Sequence, residues 1–315
     1  MVDASSKAVD VSVVSVNYKI AELQLQMIRS VAAAAGPLSY EIIIVDNASN
    51  DGSVETLRAL GSDIVLIESA ENLGFAGGNN LGANAARGQY LALVNPDVVL
   101  EPGSLAHLVD FMRVHPRVGM VGPKIVLPDG TVQSFTRSVP DSRDVLRALP
   151  GVSSVEQLLQ RLQLRHREPT EPVRSGVLHG SCMLLSRAAW DEIGGMPADT
   201  FMYGEELLLG HRLAKAGYQV WYDPRVGVRH DHESSANKAF SPHPKALKKR
   251  HGHIVALRSI LSRPSFVAWN AVLASRSLVA CLSSRFSDSD KTREHWDFVR
   301  LHASSARTVL GSRKH

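Results

Sequence analysis

Glu41-Ile-Ile-Ile-Val45-Asp46 is an apolar, β-branched run that halts on a carboxylate. A run of this kind reads as a buried strand of a helix-covered sheet. The same unit recurs on either side. Val11-Ser-Val-Val-Ser-Val16 is an earlier strand. Between the two, residues 20–35 predict a helix, with Ile20, Leu23, Met27 and Val31 on one face and Gly36-Pro37 as its stop. Downstream, 51–60 predicts a helix capped by Asp51 or Ser53, and Ile64–Ile67 a short strand. Residues 76–86 predict a small-residue helix, Tyr90-Leu-Ala-Leu-Val94 a fourth strand, and 102–114 another helix. This βαβαβαβ rhythm predicts an α/β fold with a mostly parallel sheet flanked by helices. In such sheets ligands bind beyond the carboxyl ends of the strands. Two strands run into acids there: Asp46, and Asp97 at the end of Asn95-Pro96-Asp97. Either acid alone could simply cap the next helix.

Composition is that of an ordinary globular protein: 315 residues, 44% hydrophobic and 21% charged. That excludes fibrous and mostly disordered classes. Two cysteines, Cys182 and Cys281, make neither a disulfide framework nor a CxxC metal motif, so a reducing compartment is expected. The polar segment Met1–Asp10 shows no signal-peptide core, and no spanning helix is expected, since no run of 18 uncharged apolar residues occurs. Charge is unevenly placed. Residues 237–315 carry a net +11, and residues 1–236 a net −7. An acidic body with a basic tail suggests chemistry in the first and docking in the second; a solvated basic helix is the plainer alternative.

After the first strand comes Asn17-Tyr-Lys-Ile-Ala-Glu22, without a glycine. The GxGxxG turn of dinucleotide-binding oxidoreductases is therefore missing, and so is a Walker A loop. A nucleotide would have to be held by an acid at a strand end and by a divalent ion on its diphosphate. Further on, Gly119–Lys124 predicts a strand, and Pro128-Asp-Gly-Thr131 a turn that joins a hairpin. Residues 134–175 carry seven arginines and read as an excursion over the mouth of the sheet. Those arginines could meet phosphates, or the segment could be a plain surface loop.

Five stretches, taken in order, are specific. They are Val13-Val-Ser-Val-Asn-Tyr18, Ile44-Val-Asp-Asn-Ala-Ser-Asn-Asp-Gly-Ser53, Asn72-Leu-Gly-Phe-Ala-Gly-Gly-Asn-Asn80, Leu93-Val-Asn-Pro-Asp-Val98, and Gly180–Gly195 followed by Phe201-Met-Tyr-Gly-Glu-Glu206. Over about residues 10–235 the chain resembles the family 2 inverting glycosyltransferases, the bacterial rhamnosyltransferases in particular. The resemblance implies a GT-A fold in residues 1–236, with a nucleotide-binding half over about 10–115 and an acceptor half over about 116–236. A basic helical C-terminal extension, 237–315, would follow.

The resemblance also implies roles. Asp46 matches the acid that recognises the base, and Val14 to Asn17, Val16 and Asn17 among them, line the same pocket. Asn72 to Asn80 match a turn beneath ribose and diphosphate, where Gly74, Gly77 and Gly78 would let a ligand approach the backbone, with Asn79 beside them. Asn95-Pro96-Asp97 falls on the metal-binding Asp-x-Asp, with Asn95 in place of the first acid. Mg²⁺ or Mn²⁺ would neutralise the leaving diphosphate. Asp97 is one expected ligand and His230 a second, with His232 its rival. Glu206 falls on the catalytic base, with Glu205 beside it. The family's base is usually aspartate, and Leu208 replaces a further acid, so the base assignment stays open. Trp190 and Trp221 could stack on a sugar or sit in the core.

The implied reaction is transfer of a sugar, rhamnose first, from a dTDP- or UDP-sugar to a lipid-linked or polysaccharide hydroxyl. A hexosamine or galactofuranose is the alternative sugar, and a noncatalytic nucleotide-sugar-binding scaffold the alternative class. In the tail, Lys245-Ala-Leu-Lys-Lys-Arg-His-Gly-His253 is basic, and its longest apolar stretch, Phe266–Ser275, is ten residues. Residues 245–285 therefore read either as an interfacial helix on a membrane or as a helical pair packing on the body or a second subunit. No nucleic-acid-binding motif is present. The expected location is cytoplasmic, peripheral on the inner face of the plasma membrane.

Overall fold

The computed structural model describes residues 8–133, 138–140, 168–199, 203–230, 242–284 and 289–311. They form two compact units. The first runs to Val139 and from Glu168 to Ala239; the second comprises Phe240 onward together with Pro140–Arg167, a stretch almost wholly outside the described residues.

The first unit is built on the four predicted strands, β1 (Val11–Asn17), β2 (Tyr40–Asp46), β3 (Val65–Glu68) and β4 (Tyr90–Val94). All pair in parallel, in the order β3-β2-β1-β4. The connecting helices are α1 (Ala21–Ala35), α2 (Ser53–Arg58) and α3 (Gly74–Ala85), and α4 (Ser104–Val114) follows the short strand β5 (Val98–Leu100), which the sequence did not announce. Side chains alternate across the sheet. Val13 and Ile44 pack with Met27 and Val31 of α1 and Leu105 and Leu108 of α4, whereas Val14 and Ile43 pack with Ala76 and Ala83 of α3.

The sheet then continues with mixed pairing. β8 (Cys182–Ser186) runs antiparallel to β4 and to β6 (Val118–Val126). β6 is parallel to β9 (Gln219–His230), and β9 is antiparallel to β5 and to β7 (Val173–Ser175). α5 (Arg187–Ile193) and α6 (Glu205–Lys215) complete this half. The predicted α/β fold with flanking helices is observed. The Pro128–Thr131 turn is present, and among the described residues it closes a single bridge, Val126 to Val132. Six of the seven arginines of 134–175 lie outside the described residues; the seventh, Arg174, stacks 5.7 Å from the Trp221 ring centroid.

The second unit contributes three described helices, α7 (Pro242–Ile260), α8 (Arg263–Ser284) and α9 (Ser289–Gly311). α8 corrects the sequence reading of a ten-residue apolar stretch. The helix runs unbroken through Pro264, tolerated in its first turn, and through Arg276. Arg263–Leu282 is 20 residues with a mean hydropathy of 1.4, long and apolar enough to cross a membrane by length and composition. Between the helices lies a polar core. Asn270 Nδ2 donates to Phe266 O, and its Oδ1 faces His302 Nδ1 at 2.8 Å. Arg250 Nη1 lies 3.4 Å from His302 Nε2, and its guanidinium covers the Phe298 ring at 4.3 Å. Burial, reinforced by Arg250, pushes His302 down to about 4.

Candidate active site

The strand order turns to opposite sides of β1, toward β2 and toward β4, so the crevice beyond the carboxyl ends of β1 and β4 is the natural ligand site. The backbone marks the same place. Among described residues, four other than glycine adopt positive φ: Lys19, Ala48, Asn50 and Tyr203. Three follow β1 and β2, and the fourth leads into α6. Such conformations cost on the order of 1 kcal/mol or more each and gather at functional sites.

Register places Asn17 opposite Asp46. Asn17 Nδ2 donates to Asp46 Oδ1 at 2.8 Å, Ser49 Oγ donates to the same oxygen at 2.6 Å, and Ser49 N donates to Oδ2 at 3.0 Å. Asp46 is thus a buried, fixed carboxylate, and Asn17 Oδ1 beside it is buried with no hydrogen-bond partner. Asn72 supports this corner from below. Its Oδ1 accepts from Asn47 Nδ2 at 2.9 Å and Gly74 N at 3.0 Å, while Asn47 Oδ1 accepts from Leu73 N at 2.9 Å. The Asn72 side chain therefore anchors the turn.

Gly78 and Asn79 have a different setting from the ligand-side turn expected of them. Both lie within α3, packed on β1. A Cβ at Gly78 would stand 2.8 Å from the Val16 methyls, so its missing side chain lets the helix approach the strand. Asn79 is buried and donates to Phe75 O at 2.9 Å. Trp190 is a core residue, and Trp221 is half-buried, edge-on to Phe111 at 5.6 Å.

Asp97 and His230 are brought together by the β5–β9 pairing, in which Val98 faces His230. His230 Nε2 lies 3.3 Å from Asp97 Oδ1, and both side chains are 3% exposed. One oxygen and one nitrogen donor at this separation suit two neighbouring ligands of a single divalent ion. Among the described residues no third His, Cys, Asp or Glu joins them to complete a protein-only cage. His232 lies outside the described residues.

The sequence reading missed His179, one position before the quoted Gly180–Gly195 stretch. Its ring meets His230 edge-on at 5.6 Å. His179 Nδ1 lies 2.9 Å from Ser181 Oγ and 3.2 Å from Ser181 N, which donates to it. A lone histidine in the chain carries no sequence signal; only the packing of the segment before β8 against His230 at the end of β9 reveals it.

Asn95 N donates to Ser181 O at 2.8 Å, tying that loop to the start of β8. Over the neighbouring Gly180 lies the Glu206 side chain, and a Cβ there would collide with Glu206 Oε1. One turn on, Gly210 rests against Gly176 O just as closely. These two glycine contacts seat α6 on the segment 176–180, whose next residue, Ser181, is tied to the Asn95 loop. Leu208, in place of the family's further acid, points into the core with Leu209 and Leu213. Glu205 is separated from its neighbour by environment: it is 1% exposed, and burial, then the charge of Glu206, pushes it up to about 8. At neutral pH Glu205 is therefore mostly a neutral acid.

Comparison with known proteins agrees with this geometry. The model of "Glycosyl transferase family 2" matches residues 12–194. The N-acetylglucosaminyl-diphospho-decaprenol L-rhamnosyltransferase of Mycobacterium tuberculosis is 32% identical over 222 residues, covering 66% of this chain and 72% of its own. The low-salt glycan biosynthesis hexosyltransferase Agl10 of Haloferax volcanii is 26% identical, covering 81% and 77%. In fold, the chain resembles the mannosyltransferase PcManGT of Pyrobaculum calidifontis, solved with GDP-Man and Mn²⁺, at a TM-score of 0.56 and 17% identity over 94% of this chain and 86% of that one. With the crevice at β1 and β4, the fixed Asp46 and the family match over more than half its length, the chain belongs to glycosyl transferase family 2, as a GT-A-like enzyme that transfers sugar from a nucleotide donor.

Proposed function

We propose that the protein is an inverting, divalent-cation-assisted transferase that moves a deoxyhexose, rhamnose first, from a dTDP- or UDP-sugar to a hydroxyl of a lipid-linked or polysaccharide acceptor. The observation that carries the mechanism is the buried Asp97–His230 pair at 3.3 Å with Glu206 held nearby over Gly180. Rhamnose and a lipid-linked acceptor rest on the relative that is 32% identical. A cytoplasmic location follows from the donor, since nucleotide sugars are made there.

In this reading Asp46 and Asn17 hold the base at the ends of β1 and β2. Asp97 and His230 would hold Mg²⁺ or Mn²⁺. The ion supplies positive charge where the leaving diphosphate gathers negative charge. Glu206 takes the proton of the acceptor hydroxyl as that oxygen attacks the anomeric carbon and the bond to the diphosphate breaks on the opposite face. Glu205, buried and protonated, leaves Glu206 as the one carboxylate of the pair able to accept that proton.

The test is calorimetry of dTDP, UDP and GDP with and without Mn²⁺, followed by transfer from the matching nucleotide sugar. Metal-dependent binding of a pyrimidine diphosphate, with turnover, is expected. A preference for GDP would overturn the donor assignment. Binding without turnover of any nucleotide sugar would favour a noncatalytic scaffold.

A further inference from the structure

Three exposed side chains on α8, Leu278, Val279 and Leu282, are 40%, 67% and 57% accessible. They extend a longer outward face. Pro264, Ala268, Ala271 and Ser275 are also exposed, three or four residues apart, so a single charge-free stripe runs the length of the helix. Cys281 Sγ lies 3.7 Å from Thr292 O and ties the end of α8 to the first turns of α9. One turn beyond Thr292 comes Trp296, 42% exposed. The hairpin end of the helical unit therefore presents three aliphatic residues and an indole to solvent.

Among the side chains described, the fully exposed charges around this patch are cations. Among the described residues of α7, α8 and α9, every exposed Lys, Arg, Asp or Glu is a cation; Arg276, Arg293 and Arg300 stand nearest in sequence to the patch. The Arg300 guanidinium sits 5.6 Å from the Trp296 ring centroid. The acids Glu294 and Asp297 are partly exposed, and Glu294 acts on the half-buried Arg250. Apolar side chains rimmed by cations complement a surface that is anionic outside and hydrocarbon beneath.

We propose that the α8–α9 hairpin end is a docking surface for an anionic phospholipid bilayer, with Leu278, Val279, Leu282 and Trp296 entering the interface and the arginines facing the headgroups. This does not rest on the choice of donor or acceptor. The unit lies on the membrane and does not cross it. Although α8 has the length and hydropathy to cross, its inner face carries Asn270, hydrogen-bonded to His302 of the polar helix α9, and buried Ser277. Spanning would strip α8 from these partners and leave polar groups unpaired in hydrocarbon. A second copy of the chain is a poorer occupant, because a twofold contact would bring the cationic rims against each other.

The experiment uses the full chain, co-sedimented with pure phosphatidylcholine vesicles and with vesicles holding about one-third phosphatidylglycerol. Expected are binding at least ~10-fold stronger to the anionic vesicles, loss of most of it near ~0.5 M NaCl, and a blue shift in emission that is absent in Trp296→Phe. The exposed pair Val279→Asp/Leu282→Asp and the pair Arg293→Glu/Arg300→Glu should each lose about 10-fold in binding, with unchanged circular dichroism. If the first pair disturbs folding, the second, confined to the surface of α9, carries the test. Equal affinity for both vesicle types, or undiminished binding by the arginine variant, overturns the proposal. So does resistance to salt and alkaline extraction, which marks a spanning helix. A dimer in light scattering that Val279→Asp/Leu282→Asp dissociates would assign the face to a second copy, and retention on duplex DNA without vesicle binding would assign it to nucleic acid; either result overturns the proposal.

Discussion

His230 Nε2 lies 3.3 Å from Asp97 Oδ1 because Val98 of β5 pairs with His230 of β9. The last residue of the long strand is thereby set against the acid that ends the Asn95-Pro96-Asp97 loop. If the two share a cation, they should fail together. Asp97→Ala and His230→Ala are each expected to remove most of the Mn²⁺-dependent part of donor stabilisation in a thermal-shift titration, whose size follows RT ln(1 + [L]/Kd). Metal-free nucleotide binding should survive. A His230→Ala protein that keeps its full Mn²⁺ response would limit the site to Asp97.

Glu206→Gln should separate binding from chemistry. The amide keeps the shape but takes no proton, so donor affinity stays within about 2-fold while turnover falls by about 10²–10⁴-fold. Asp231, which follows His230 directly in the chain and lies outside the described residues, is the carboxylate that would replace Glu206 as base if Glu206→Gln stayed active. Single-turnover assays of Glu206→Gln and Asp231→Asn side by side tell the two apart.

Gly180→Ala tests how Glu206 is held. The added methyl meets Glu206 Oε1, with no positive φ at this position to add strain. Turnover should fall by about 10-fold or more through displacement of the carboxylate, with the melting temperature little changed. Normal turnover would mean that Glu206 is not confined by this contact during catalysis.

Glu205 makes stability depend on pH in a stated direction. Its acid is raised from 4.5 to about 8 by burial and by Glu206. Between those values the folded state holds a proton that the unfolded state has lost, so this group's contribution falls as pH rises, by at most about 1.4 kcal/mol per pH unit. Glu205→Gln should therefore gain stability relative to the parent protein as pH goes from 5 to 8, measured by urea denaturation. A difference that stays flat with pH would place Glu205 in a wetter setting.

His302 acts in the opposite sense. Its folded value is about 4 against an ordinary 6.5. The unfolded chain binds the proton first, so stability is complete above 6.5 and is lost as pH falls toward 4. Acid should loosen the helical unit in that window, read by the Trp269 and Trp296 emission. His302→Gln should flatten the profile.

The parallel half of the sheet was readable because its strands are short, mostly apolar runs and its helices carry one apolar face, both local patterns. Asp46 and Asp97 were visible for the same reason, as acids closing such runs. The second half was harder to read. β5 is three residues long, and β8 joins the sheet antiparallel, choices set by partners far away in the chain. His179 was silent until packing placed it against His230. Glycines showed a similar limit. Gly78 was visible as part of a glycine cluster, but its purpose, close approach of α3 to Val16, depends on a neighbouring strand.

Residue types and their spacing thus set the family, the β1–β4 crevice and the candidate chemistry, because covalent order alone places an acid after an apolar strand. Which of two adjacent glutamates could serve as a base was a matter of environment. Glu205 and Glu206 are equivalent as letters, but one is sealed at 1% exposure and raised to about 8, while the other lies over Gly180. The same holds for α8, whose apolar letters are split by Arg263 and Arg276 in the chain yet form one uncharged face once coiled at 3.6 residues per turn. Desolvation belongs to the folded state, and no local pattern of residues encodes it.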